Sequence, residues 1–204
     1  MRWETITDEA GVERVRKVIE RGDYLSWARV PDRHCRQALE ARKTRAVALV
    51  DELLAGKGRL LVLHADVGRG KSVAAAYGLS MLGGLWVSAP DLARVVQRRD
   101  EGDDSVRRET LDEQMASRKT TLLVIDDAGL EHSPSGYAGS RICEAIVSRE
   151  ALSLRTIVTT NLAGDVFKTR YGERIASRMN GDSLGWQTIE GPDLRSAPLE
   201  RSTP

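Results

Sequence analysis

Apolar residues in this chain gather into short runs separated by charged, helix-like stretches. LLVLHA at 60–65, LWVSA at 85–89, LLVIDD at 122–127, TIVTTN at 156–161 and a segment near Gly185–Ile189 have the length and composition of strands. Between and around them, 71–82, 90–99, about 105–118, 138–152 and 171–179 carry helical spacing. Continuous apolar strands alternating with helices form a parallel sheet covered on both faces. The chain therefore reads as an α/β protein. Ahead of the sheet, Val12, Val15, Val18 and Ile19 recur at helical spacing among charged residues, so residues 1–30 read as a short helical extension. A second helix is expected from about Asp32 to Ala55, begun after Pro31 and stopped at Gly56. The division expected is an extension over 1–30, one main domain over 31–195 and a loose tail over 196–204, with no separate lid domain after the core.

Two hundred and four residues suffice for one full core without disulfides or metal. Hydrophobic residues make up 41% and charged residues 30%, with 31 Lys and Arg against 30 Asp and Glu, so the balance is that of a globular protein and net charge names no partner. No apolar run approaches the roughly 18 residues of a membrane span. The start MRWETITDEAG is acidic and polar, unlike a secretory leader, so the expected location is the cytoplasm. Cys35 and Cys143 are too few for a disulfide framework or a four-ligand zinc site, and reduced thiols are expected.

Composition leaves the chemistry open, and the strand ends supply it. After LLVLHA comes Ala65-Asp66-Val67-Gly68-Arg69-Gly70-Lys71-Ser72, and a helix follows at once. Successive backbone N–H groups at a helix N-terminus converge on an anion. Gly68 and Gly70 permit the tight backbone, Lys71 is placed for the β- and γ-phosphates of a nucleoside triphosphate, and the Ser72 hydroxyl for Mg²⁺. Asp66, Val67 and Arg69 complete the loop. Ala65 stands where the phosphate-loop pattern has Gly, which is tolerable only if position 65 keeps an ordinary strand-end conformation. A glycine-rich turn with no ligand is the bland alternative.

The strand LLVIDD ends in Asp126 and Asp127, and parallel strands aim their C-terminal ends at the ligand crevice. Asp126 is expected to help hold Mg²⁺ opposite Ser72, and Asp127 to polarise the attacking water. Asn161, ending TIVTTN, can donate to a γ-phosphate or orient water while staying neutral. Either group alone is equally a turn or a helix cap.

Arg174 and Arg178 stand four apart in YGERIASRM, on one helix face. Two cations so placed repel unless an anion lies opposite. A site whose only other cation is Lys71 lacks charge for the transferred phosphoryl group. An arginine inserted by a neighbouring subunit supplies it and is worth about 10³ to 10⁵ in rate, about 4 to 7 kcal/mol. Arg178, with Arg174, is expected to fill that role; a solvated charged face is the alternative.

VPDRHCRQALEA, GRGKS, LLVIDDAGLE, TIVTTNL, YGERIASRM and the closing GPDLR occur in the order seen in the helicase-loader branch of the AAA+ ATPases, the DnaC, DnaI and IstB group. The chain resembles that family from about Val30 to Arg195. The resemblance implies a P-loop ATPase that assembles head to tail in ATP, uses Mg²⁺, hydrolyses slowly and loads or remodels a replicative helicase, or serves a transposase. It implies Arg178 as the finger and Arg195 as a nucleotide sensor within its own subunit. It also implies contact with single-stranded DNA through the segment carrying Arg94, Arg98, Arg99, Arg107 and Arg108, though intrahelical ion pairs on a surface helix explain those arginines equally well. Asp127 replaces the Glu of wider AAA+ enzymes. The short N-terminal region leaves helicase docking to Trp3, Tyr24 and Trp27, or leaves those aromatics to the core. From other classes, a small-metabolite P-loop kinase and a nucleotide-dependent binding module without hydrolysis remain open. His34, His64 and His132 are assigned no catalytic role, and Trp86 and Trp186 are assigned to the core.

Overall fold

The structure, a computed structural model, describes residues 2–7, 13–18, 21–40, 43–100, 108–132, 136–179 and 184–195; for 2–7, 13–18, 22, 23, 27, 96–100, 108–110 and 112 it describes the backbone alone. Five parallel strands form the sheet: β3 (Leu60–His64), β4 (Leu85–Ser88), β5 (Leu122–Ala128), β6 (Arg155–Thr160) and β7 (Gly185–Thr188), in the order β4-β5-β6-β3-β7. Strand β3 lies between β6 and β7, with Val62 opposite Val158 on one side and Trp186 on the other.

Side chains alternate across each strand and divide the core in two. Leu61, Leu63, Leu122, Val124 and Ile157 face one layer, formed by α1 (Arg21–Trp27), α2 (Asp32–Leu39), α3 (Arg45–Leu54) and α4 (Lys71–Leu82). Leu60, Val62, Leu123, Ile125 and Val158 face the other. That layer holds α5 (Ala89–Asp100), α6 (Arg108–Ala116), α7 (Tyr137–Ala151), α8 (Gly164–Tyr171) and α9 (Glu173–Met179). The expected sheet sandwiched by helices is what the chain forms.

Three elements differ from the expectation. Where a helical lead-in was expected, Arg2–Thr7 (β1) and Glu13–Val18 (β2) pair antiparallel, with Thr5 opposite Val15, and among the described residues before Val30 only α1 is helical. Thr5, Ile6, Thr7, Val15 and Val18 are β-branched, and the pairing they favour outweighs a 3.6-residue pattern that spans few turns. The single helix from Asp32 to Ala55 is two, because Thr44 takes an extended conformation and its hydroxyl accepts the Val47 N–H at 3.2 Å, starting α3 anew. The Arg-bearing helix begins at Glu173, after α8, which the apolar pattern did not announce and which ends at Gly172 with φ +86°.

Tyr24 belongs to the core: its hydroxyl donates to the Gly84 carbonyl at 2.6 Å and accepts the Gly84 N–H at 2.5 Å. The side chains of Trp3 and Trp27 are outside the described set. Trp86 is buried and Trp186 packs on the second core cluster. His64 stacks on Trp186 with ring centroids 5.0 Å apart, a packed histidine as expected. Cys35 and Cys143 are free. No helix among the described residues is long and apolar enough to cross a membrane.

Candidate nucleotide site

The chain leaves β3 at His64 and enters α4 at Lys71, and the six residues between them take the shape their glycines allow. Gly68 and Gly70 have φ of +85° and +82°, in the left-handed region that costs glycine nothing. Ala65 is not among the residues of positive φ, so its methyl group is accommodated, buried at the strand end. The segment 191–195 returns over the loop: the Leu194 N–H donates to the Gly68 carbonyl at 2.8 Å. The φ of +85° strains any other residue at position 68, and a Cβ there would stand 2.0 Å from Asp193 Oδ1, so that side chain would have to shift as well.

Lys71 is buried, and its ammonium donates to the carbonyls of Ala65 at 2.7 Å and Asp66 at 2.9 Å and to Asn161 Oδ1 at 2.7 Å. Burial lowers its pKa, while Asp127, Asp126 and Asp66 oppose the shift. The Asp66 carboxylate itself is exposed and lies 3.9 Å from Arg69.

Strand β5 ends in a bulge. Its register with β6 shifts between Ile125 and Ala128, and Asp127 has φ +57°. A non-glycine residue held there costs about 1–3 kcal/mol and needs surrounding support. Thr159 provides it: its hydroxyl accepts the Asp127 N–H at 2.9 Å and donates to Asp126 Oδ1 at 2.7 Å. The two carboxylates therefore diverge. Asp127 lines the cleft, whereas Asp126 is buried and hydrogen-bonded by Ser72. Burial pushes the Asp126 pKa up to about 6; the Thr159 and Ser72 bonds oppose this, and the Asp127 charge adds to it.

Together these groups bound a cleft of about 560 Å³. Val67, Gly68, Arg69, Gly70, Lys71 and Ser72 line it together with Asp127, Asn161 and Arg195. Arg33, His34 and Gln37 of α2 close one wall, a contribution the sequence reading did not assign although VPDRHCRQALEA contains all three. His34 is held neutral there, its pKa pushed down to about 4, chiefly by burial and then by Arg33. Among the described residues, no group of three or more His, Cys, Asp or Glu could hold a metal. Ser72 with one or two carboxylates suits Mg²⁺, which takes few protein oxygens and completes its shell with phosphate and water.

The arginines fall elsewhere. Neither Arg174 nor Arg178 lines this cleft. Arg178 bonds Glu150 of α7 at 2.7 Å and the Arg174 carbonyl at 2.8 Å; Arg174 is exposed. Arg94 is exposed and pairs with Asp91 one turn away on α5, as the surface-helix alternative requires of it. Arg98 and Arg99 lie on α5 and Arg108 opens α6, with side chains outside the described set, and Arg107 lies outside the described residues altogether.

The chain as a whole resembles several solved structures. The DnaC helicase loader superposes with a TM-score of 0.53 and 22% identity, over 71% of this chain and 86% of that one. DnaI gives 0.54 and 22%, over 72% and 84%. The replication initiator DnaA bound to AMPPCP and single-stranded DNA gives 0.58 and 18%, over 74% of this chain and 48% of that one. The likeness is one of fold: a parallel sheet flanked by helices on both faces. This chain spans about half the length of that DnaA structure. No protein-family model matches the chain, and no curated protein matches it in sequence.

Proposed function

We propose that this chain is an ATP-dependent AAA+ ATPase of the helicase-loader type, acting on a replicative helicase at single-stranded DNA. The observation that carries this reading is the convergence of Lys71, Ser72, Asp126, Asp127 and Asn161 at the C-terminal ends of β3, β5 and β6, around one cleft. The glycine backbone and Lys71 bind the triphosphate, and Lys71 exchanges its bond to Asn161 for phosphate. Ser72 and Asp126 hold Mg²⁺, which supplies charge neutralisation of the β- and γ-phosphates when bound. Asp127 and Asn161 orient water, and Arg195 contacts nucleotide. Arg33, Arg69 and Arg195 line the cleft beside Lys71, so it holds more cations than the one expected, and neither arginine of α9 is among them. In this reading Arg178, assisted by Arg174, completes a neighbour's site, giving head-to-tail contacts that form rings or open spirals. Likeness to DnaC and DnaI favours helicase loading over the transposition-helper alternative.

ATP affinity and turnover, measured together, test the core of this reading: Lys71→Ala loses ATP binding, and Arg178→Ala retains it but loses turnover in the assembled protein. Tight binding with no turnover, even with DNA and partner present, leaves a nucleotide-dependent binding module instead. Sizing in ATP and in ADP reports assembly. Capture from the source cell in ATP distinguishes a hexameric helicase from a transposase. For DNA, oligonucleotide binding that weakens with salt and with Arg98→Ala/Arg99→Ala supports the arginine segment, and indifference to both leaves a surface helix.

A further inference from the structure

Glu131 is a carboxylate almost wholly removed from water, and none of the roles above uses it. Both of its oxygens are engaged. Oε2 accepts the Gly129 N–H at 2.7 Å, closing the turn that begins at Asp127, whose carbonyl accepts the Leu130 N–H at 3.1 Å. Oε1 accepts from Arg170 Nε at 2.7 Å and from the Tyr171 hydroxyl at 2.6 Å, and the Glu131 carbonyl accepts a second Arg170 bond at 2.6 Å. Burial, and then the bond to Glu131, raises the Tyr171 pKa, so the phenol stays a donor. Tyr171 is the last residue of α8; Gly172 follows, and α9 opens with Glu173 and Arg174. The Cys143 thiol donates to the Tyr171 carbonyl at 3.2 Å, fixing the same corner against α7.

Packing alone does not call for this arrangement. Burying a carboxylate costs several kcal/mol before its partners offset it, and an apolar side chain fills such a space more cheaply. What the carboxylate adds is direction: it joins the turn that aims Asp127 to the corner that aims α9. One carboxylate thus bonds both a closed five-residue turn and a short helix, the physical contact that coupling between them requires.

We infer that Glu131 is a positioning residue, coupling the carboxylate turn after β5 to the α8–α9 corner that presents Arg174 and Arg178. The inference rests on the reading of Arg178 given above. Glu131 is not among the residues lining the cleft; it sets where the arginines stand when the chain's own cleft is filled.

Tyr171→Phe keeps the ring against Phe167 and removes only the hydroxyl, and Arg170→Met removes the ion pair at its half-exposed end. Each is expected to bind a fluorescent ATP analogue within about twofold of the parent while assembly-stimulated turnover falls at least about tenfold. The deciding measurement is the double variant: Tyr171→Phe/Arg178→Ala turns over no more slowly than Arg178→Ala alone, since both act through one arginine. A further loss in the double variant equal to that of Tyr171→Phe in the parent means a merely structural role and overturns the inference, as does a fall in ATP affinity matching the fall in turnover. If Arg178→Ala slows turnover and Tyr171→Phe does not, the coupling fails and the finger stands. If Arg178→Ala has no effect, both fall.

Discussion

Thr159 uses one hydroxyl to hold two carboxylates in different directions, donating to Asp126 and accepting from the backbone of Asp127. Thr159→Val keeps the shape and removes both bonds in a fully buried place. A loss of about 1–3 kcal/mol is expected in denaturant unfolding, with ATP turnover falling further than ATP affinity because Asp127 is no longer held at φ +57°. Asp126 predicts a pH dependence. Burial pushes its carboxyl up to about 6 in the folded chain from an ordinary 3.8, so the folded chain binds more protons between those values. Stability therefore falls as pH rises through that window, by about 3 kcal/mol in all, and the deficit persists above it. Asp126→Asn, melted in EDTA without nucleotide, is expected to gain on the parent at pH 7.5 and to lose that advantage by pH 4. An advantage independent of pH would show that the charge is not the cause.

At the level of elements, one arginine ties three pieces of the second layer together. Arg149 of α7 is fully buried and donates to the carbonyls of Met115, Thr120 and Arg155 and to the Thr156 hydroxyl, at 2.9–3.1 Å. Burial pushes its pKa down to about 10, so it stays charged at neutral pH. The group binds the end of α6 and the start of β6 to α7. Arg149→Met leaves those acceptors without their donor, and unfolding in urea is expected to show a loss of at least about 3 kcal/mol. Arg149→Lys recovers little of it, because a single ammonium cannot span the fork. The ion pair between Arg178 and Glu150 has a different character: it is part-exposed and can be exchanged for another anion at little cost.

For the whole molecule, a ligand that binds only the folded chain stabilises it by mass action, about 2.7 kcal/mol at one hundred times its Kd. Saturating ATP with Mg²⁺ is expected to raise the melting temperature of the parent and of Arg178→Ala alike, and to leave Lys71→Ala unmoved. The contrast separates the cleft that receives nucleotide from the helix that serves a neighbour. A shift lost equally in both variants would place Arg178 in the chain's own site.

Much of this was legible in the order of residues along the chain. LLVLHA, LLVIDD and TIVTTN are strands because each is a short apolar run, and Gly68, Gly70, Lys71 and Ser72 act within one turn of backbone; such features depend on neighbours a few positions away. The break at Thr44, the hairpin of β1 and β2 and the helix α8 were not legible, because a cap, a cross-strand partner and a packing surface outweighed local periodicity. Sequence alone thus determined the layered sheet and the chemical groups at its strand ends. Only the tertiary structure decided that Asp126 turns inward and Asp127 outward, and that Glu131 meets Tyr171 across 40 positions, because those outcomes depend on contacts between segments that no local pattern brings together.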